Sequence, residues 1–215
     1  MKVELEAADL SKSYGGRRVF SGLAISASRG LVAVAGPNGS GKTTLLKILA
    51  ALLRPDSGSV RVRRDGAELF GDARRLAVGW AGPDLSFYDE LTAEENLDFF
   101  RRAAGRTADP QTVARRLAEV GLAEAARLSV GAFSTGMKQR LRIAFSTLFD
   151  APILLLDEPM NGLDADGREM VAAVVAARRE EGAVILASND PRDLAGADAL
   201  VEMVPANGKT REWTR

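Results

Sequence analysis

The residues Gly36-Pro37-Asn38-Gly39-Ser40-Gly41-Lys42-Thr43-Thr44 follow an apolar run, Leu31 to Ala35, and precede apolar positions at Leu45, Ile48, Leu49 and Leu52. They fit the spacing G-x-x-x-x-G-K-[ST]. Glycines at these places let successive backbone N–H groups converge on an anion, and a helix opening near Lys42 turns its positive dipole end on the same point. In this pattern Lys42 reaches the β- and γ-phosphates of a bound nucleotide, and the Thr43 hydroxyl ligates Mg²⁺. A second apolar run, Ile153 to Leu156, ends in Asp157-Glu158-Pro159. A carboxylate at the end of such a strand is where phosphoryl transfer needs a further metal partner, directly or through water, and Asp157 takes that role. Glu158 then lies beside the γ-phosphate, where it orients or deprotonates the attacking water.

Composition narrows the chemistry further. The 215 residues contain no Cys and no His. Disulfides, thiolate nucleophiles, Cys-type zinc sites and imidazole bases are therefore excluded. Lys plus Arg equals 29 and so does Asp plus Glu, a net charge of zero that argues against a nucleic-acid partner. The charged N-terminus has no apolar core of a secretory signal, and no apolar run has the length of a membrane span. The expectation is a cytoplasmic protein, held at a membrane, if at all, by a partner.

The elements that position these residues are legible as patterns. Val3 to Ala7 alternates, Arg18 to Ala27 is a second strand candidate, and Gly15-Gly16 is the turn between them. Leu31 to Ala35 and Ile153 to Leu156 are apolar on both faces, as in a covered parallel sheet. The Leu45, Ile48, Leu49, Leu52 spacing predicts a helix that Arg54-Pro55-Asp56-Ser57-Gly58 stops. Ser59 to Arg63 and Leu76 to Trp80 are short strands. Helical texture fills residues 84–150, with Thr92 and Glu95 forming a capping box. Ala165 to Glu181 reads as a helix with Gly182 as its C-terminal cap. Ala183 to Ala187 and Ala199 to Val204 complete an alternating pattern. The expected fold is α/β: a P-loop core with a mainly parallel sheet, an N-terminal antiparallel β portion and an inserted helical subdomain. Residues 1–83 and 151–215 form the core in this reading, and 84–150 the insert.

Phe133-Ser134-Thr135-Gly136-Met137-Lys138-Gln139-Arg140 resembles the signature motif of ATP-binding cassette (ABC) ATPases, in an S-T-G-M variant of the usual S-G-G-Q. Asn161-Gly162-Leu163-Asp164 resembles that family's D-loop, and Tyr14 takes the place of its adenine-stacking aromatic. The resemblance covers nearly the whole chain. It implies that two cassettes pack head to tail, with ATP and Mg²⁺ between the cradle of one and the Ser134, Gly136 and Asp164 region of the other. The physical rationale is that a helix opened by Ser134 and Gly136 presents free backbone donors suited to a γ-phosphate.

Two positions depart from the family's pattern. Pro83 stands where a Gln usually touches the metal shell, with Asp84 beside it as a water-mediated substitute or a plain loop residue. Asn189, in Ala187-Ser188-Asn189-Asp190, stands where a His usually meets the γ-phosphate. An amide donates a hydrogen bond but carries no proton or charge, so hydrolysis is expected to rest on Lys42 and Glu158 and to be slow. The resemblance implies an ATPase subunit of a transporter, of exporter type with the haem-exporter branch included. Its partners would be a separately encoded transmembrane permease and a second ATPase subunit, identical or different, with the assembly on the inner face of the cell membrane. A soluble non-transport ABC ATPase and a subunit that binds ATP but barely hydrolyses it are the alternatives.

Overall fold

A computed structural model describes residues 2–106, 109–204 and 211–214. Its central sheet explains why some strands are apolar throughout. Strands β3 (Gly30–Ala35), β7 (Ile153–Asp157) and β8 (Ala183–Ser188) lie side by side and parallel, in register from Gly30 opposite Ala183 and from Ile153 opposite Ala183. Side chains alternate across the pleat. On one face Ile153, Leu155, Val32, Val34 and Ile185 pack with Leu45, Ile48 and Leu49 of helix α1 (Lys42–Leu49). On the other, Leu154, Leu156, Val184 and Leu186 pack with residues of four further helices. With both faces covered, a polar residue has no wet side to occupy. Each fully buried Leu or Ile in these strands contributes about 1.5–3 kcal/mol.

The first face is closed by an antiparallel sheet. Strand β1 (Val3–Tyr14) pairs with β2 (Arg17–Ala27) and with β4 (Ser57–Arg64), which pairs with the short β5 (Ala67–Glu68). Leu5, Leu10, Leu23, Ile25 and Val62 turn inward, so α1 is held between two sheets. The main sheet runs β10-β9-β3-β8-β7-β6, where β6 is Val78–Ala81, β9 is Ala199–Glu202 and β10 is Arg211–Thr214. All its neighbours are parallel except β10 against β9.

The second face is covered by α3 (Ala93–Ala103), α4 (Pro110–Glu119), α5 (Thr135–Ser146) and α6 (Ala165–Glu181); the short α2 (Gly71–Leu76) precedes β6. Leu97, Leu117, Leu141 and Val171 join one core with Leu154 and Leu156. All four of these helices start on a side-chain cap; for α4 it is Asp109, which accepts from Gln111 N at 3.1 Å. Thr92 accepts from Glu95 N at 3.1 Å while the Glu95 carboxylate accepts from Thr92 N at 2.8 Å, the expected capping box. Ser134 accepts from Met137 N at 3.2 Å and Asp164 from Gly167 N at 2.9 Å.

Three local expectations are corrected. Helix α1 ends at Leu49, and Leu52 is 59% exposed. Ala51, in left-handed conformation at φ 59°, turns the chain before Leu52 can join the apolar face. Leu76 belongs to α2, and the strand there begins at Val78. Gly182 is the C-terminal cap of α6 as expected, its N–H donating to the Arg178 carbonyl, but it is extended at φ −162° rather than left-handed. It is glycine because a Cβ would stand 2.0 Å from the Pro152 carbonyl oxygen.

Candidate active site

The six residues from Gly36 to Gly41 connect β3 to α1, so the loop opens at the C-terminal edge of the parallel sheet. Open α/β sheets bind their ligands at this edge. Gly41 is at φ 101°, and a Cβ on it would lie 2.4 Å from Val19 Cγ1 of β2. Backbone conformation and close approach thus both require glycine there. A cleft of about 380 Å³ follows, lined by Tyr14, Arg17, Val19, Asn38, Gly39, Gly41, Lys42, Thr43, Thr44 and Glu158. Tyr14, at the end of β1, is half exposed, with the Lys12 ammonium 5.5 Å from its ring centre. A flat aromatic at the mouth and backbone donors at the base suit a molecule with a planar ring at one end and phosphates at the other.

Lys42 is 6% exposed and donates to the Gly36 carbonyl at 2.7 Å and the Pro37 carbonyl at 3.3 Å. Its Nζ also lies 3.3 Å from Glu158 Oε1. Ser40 is buried against Gly36, where a Cβ would meet its Oγ at 2.6 Å. Thr43 donates its hydroxyl proton to Asp157 Oδ2 at 2.6 Å, joining the start of α1 to the end of β7. Burial pushes the Asp157 carboxyl above the ordinary Asp range. The Thr43 hydrogen bond opposes the rise, as does Lys42, while the Glu158 and Asp84 charges add to it.

The donor set fits Mg²⁺. Asp157 Oδ1 is buried without a hydrogen-bond partner, beside the Thr43 hydroxyl held by Oδ2. Among the described residues no group of three or more Asp or Glu gathers to make an all-protein cation cage. A hydroxyl and one carboxylate, completed by phosphate oxygens and water, is how Mg²⁺ is commonly held beside a nucleotide.

Glu158 takes a left-handed backbone at φ 49°, with its N–H donating to the Ala187 carbonyl at 2.8 Å. A non-glycine residue there costs roughly 1–2 kcal/mol, offset by the surrounding structure. Gln139 of α5 supports the turn from behind, donating to the Glu158 and Pro159 carbonyls at 3.3 and 3.1 Å. Arg142 joins that support to the loop after β6: it donates to Gln139 Oε1 and the Leu85 carbonyl at 3.0 Å each, and to the Pro83 carbonyl at 3.5 Å. Asp84 is paired with Lys47 of α1 at 2.9 Å. Asn189 is exposed and donates from Nδ2 to Asn38 Oδ1 at 3.0 Å, which places it at the rim of the cradle.

The structure therefore brings Tyr14, the cradle, Asp157, Glu158 and Asn189 together. Ser134, Gly136 and Asp164 do not line the cleft. They form a group of their own, since a Cβ on Gly136 would lie 3.2 Å from the Gly162 carbonyl oxygen and one on Gly162 would lie 3.4 Å from Thr135 Cγ2. Arg17, Val19 and Arg142 belong to no sequence motif, whereas Gln139 lies in the signature-like segment. Val19 and Arg17 enter only through the pairing of β1 with β2, and Arg142 only through the packing of α5 beside the loop at Pro83.

A family model described as "ABC transporter" matches residues 22–161. The chain belongs to the ABC transporter family. It is 36% identical over 203 residues to the cytochrome c biogenesis ATP-binding export protein CcmA of Rhizobium meliloti (strain 1021), covering 92% of this chain and 97% of that protein. Over 203 residues it is 34% identical to the daunorubicin/doxorubicin resistance ATP-binding protein DrrA of Streptomyces peucetius, covering 93% of this chain and 61% of that one. Among solved structures, the ATP-binding subunit of an ABC transporter superposes with a TM-score of 0.84 at 27% identity, covering 98% of this chain and 89% of the other. A dimeric ATP-binding cassette in a post-hydrolysis state with ADP and Pi superposes with a TM-score of 0.84 at 22% identity, covering 98% of each chain. That second likeness speaks for the fold alone. The ABC ATPase assignment accounts for the P-loop core, the antiparallel portion and the order of motifs together.

Proposed function

We propose that this ABC ATPase binds Mg-ATP in the Tyr14–Lys42 cleft and hydrolyses it between two cassettes, driving a separately encoded transmembrane exporter subunit. The observation that carries the reading is the separation of two complementary anion sites. One is the cradle with Lys42; the other is the N-terminus of α5 behind Ser134, outside that cleft. A triphosphate held by the first exposes its terminal phosphoryl group, and a second cassette facing it presents the other. Each site is incomplete alone, so ATP supplies attraction across the interface and hydrolysis removes it.

In the chemical step Glu158 takes a proton from water as the water oxygen forms its bond to the γ-phosphorus and the bond to the β–γ bridging oxygen breaks. Lys42 turns from the Gly36 and Pro37 carbonyls to the β- and γ-phosphate oxygens. Thr43 and Asp157 would hold Mg²⁺, which when bound would neutralise phosphate charge. Ser134, Gly136 and Asp164 of the facing subunit enclose the γ-phosphate. Asn189 contributes a neutral hydrogen bond at the cradle rim, so the reaction leans on Glu158 and is slow.

Among the described residues no helix is long and apolar enough to cross a membrane. An aromatic cluster offers the docking face. Phe87, Phe100 and Phe145 pack edge to face with centroids 4.9–6.2 Å apart, and the exposed Tyr88 and Phe99 extend the cluster to the surface at 5.1 Å. The group adjoins the Pro83 loop, and the helical region 84–150 acts as the docking subdomain on the inner face of the membrane. The likeness to CcmA and DrrA proteins supports export.

Size-exclusion of Glu158→Gln with and without Mg-ATP tests this. A nucleotide-dependent dimer that Ser134→Arg abolishes is the expected result. A dimer indifferent to Ser134 overturns the shared-phosphate reading, and a monomer in both conditions points to a different cassette as partner.

A further inference from the structure

Glu158 has a second neighbour that the reading above leaves unused. Ser188, at the end of β8, is fully buried, and its Oγ lies 3.2 Å from Glu158 Oε2 and 2.9 Å from Asp193 Oδ2. It also accepts from Asp190 N at 3.0 Å. Behind it the Asp193 side chain, 4% exposed, is ion-paired with Arg168 of α6. Arg168 is further tied to the Met160 carbonyl at 3.3 Å and lies 3.8 Å from Asp190 Oδ2. One hydroxyl proton thus faces two carboxylates, and it can serve only one at a time.

Which one it serves depends on their other partners. In this structure each carboxylate has a cation, Lys42 for Glu158 and Arg168 for Asp193. Among the described residues, the side chains in polar contact with the Glu158 carboxylate are those of Lys42 and Ser188. Asn189 is turned to Asn38. When phosphate draws Lys42 away, Asp193 keeps Arg168 while Glu158 is left without a cation. Glu158 then becomes the stronger acceptor, and the Ser188 proton swings from Asp193 to it.

We propose that Ser188 is the positioning residue for Glu158, a hydroxyl rotor set by the Asp193–Arg168 pair that takes hold of the carboxylate as Lys42 leaves for the nucleotide. The proposal rests on the reading of Glu158 as the catalytic carboxylate. It makes nucleotide arrival itself the event that fixes the base in place. Because a carboxylate displaced by an ångström loses most of its effect, removing the hydroxyl lowers kcat by at least about tenfold.

The test measures kcat for ATP, Kd for the non-hydrolysable Mg-AMPPNP and the melting temperature in the full chain. Ser188→Ala is expected to lower kcat with Kd and melting temperature held, Ser188→Thr to restore it, and Ser188→Ala to add no further loss on a Glu158→Gln background. Arg168→Met leaves Ser188 in place but frees the Asp193 charge to compete for its proton, so kcat falls by a factor of ~3–10 at unchanged Kd. Wild-type kcat in Ser188→Ala and Arg168→Met, with Glu158→Gln inactive, overturns the role of Ser188 alone. Wild-type kcat in Glu158→Gln overturns the reading of Glu158 itself. A matching rise in Kd or fall in melting temperature in both Ser188→Ala and Arg168→Met reduces Ser188 to a structural residue and overturns the proposal.

Discussion

The Lys42 ammonium lies 3.3 Å from the Glu158 carboxylate, so the cation of the cradle and the carboxylate proposed as general base neutralise each other before nucleotide arrives. Lys42 is 6% exposed and Glu158 16%, which shields the pair from the screening that weakens surface ion pairs. Binding must break this contact. Glu158→Gln removes the competitor for Lys42 and a negative charge beside the γ-phosphate at once. Mg-ATP affinity is expected to tighten about fivefold, ~1 kcal/mol, while turnover falls ~100-fold or more. Equilibrium binding and phosphate release measured on the same preparation check both signs. Weaker binding would show that the ion pair assists the nucleotide rather than competing with it.

Asp157 makes the opposite trade. Its carboxyl is raised above the ordinary Asp range by burial, so the charged form is disfavoured in the fold relative to the unfolded chain. Between the ordinary and the raised value the native state holds more protons than the unfolded one. Stability from this group therefore falls as pH rises through that window, and the loss is complete once pH exceeds the raised value. Asp157→Asn removes the buried charge and keeps an oxygen to accept from Thr43. The nucleotide-free protein is expected to melt about 2–4 °C higher at pH 7, a gain of ~1 kcal/mol. The same variant loses most of the Mg²⁺ dependence of its ATP binding. Thermal denaturation at pH 7, with binding titrations in Mg²⁺ and in a chelator, separates the two effects.

Gly182 separates two accounts of a single glycine. As a left-handed helix cap, replacement by Ala would cost about 1 kcal/mol. In the structure its φ of −162° suits any residue, and the obstacle is the Pro152 carbonyl oxygen, 2.0 Å from where a Cβ would stand. Both Gly182 and Ala183 border this crossing, since Ala183 N donates to the same carbonyl at 2.9 Å. Gly182→Ala must push β7 and β8 apart at their N-terminal ends, the edge of the sheet opposite the site. Its expected cost is about 3 kcal/mol, lowering the melting temperature by roughly 6–12 °C. A shift of only a few degrees would restore the cap.

Gly182 also marks the limit of what the chain discloses by its pattern. Ile153 to Leu156 announces a strand covered on both faces because no solvent-facing alternation survives there, and Thr92 with Glu95 announces a helix start because both capping partners lie within one turn. The cradle is legible for the same reason: its donors, its cation and its hydroxyl are contiguous. Leu52 misleads because apolar spacing persists past Ala51, where the backbone turns out of the helix. Arg17, Val19, Ser188 and Arg142 belong to the site through strand pairing and helix packing, which bring together residues as far apart as Pro83 and Arg142. No local spacing encodes such meetings.

Asn189 shows what the chain gives up by having no histidine. Its amide donates to Asn38 Oδ1 at 3.0 Å, at the cradle rim, so the γ-phosphate contact proposed for it would be a neutral one. A histidine there would add a donor able to carry positive charge toward the oxygens on which negative charge accumulates in the transition state. Charge-assisted hydrogen bonds are roughly twice as strong as neutral ones, and a single well-placed donor at such a site is worth ~3 kcal/mol. Since Asn189 already supplies part of this, Asn189→His is expected to raise kcat by about tenfold, with little change in Mg-ATP affinity because the gain appears only as the phosphoryl group transfers. Steady-state hydrolysis beside Mg-AMPPNP binding measures it. An unchanged kcat would mean that the step limiting turnover lies outside the γ-phosphate contact, in the opening of the paired cassettes.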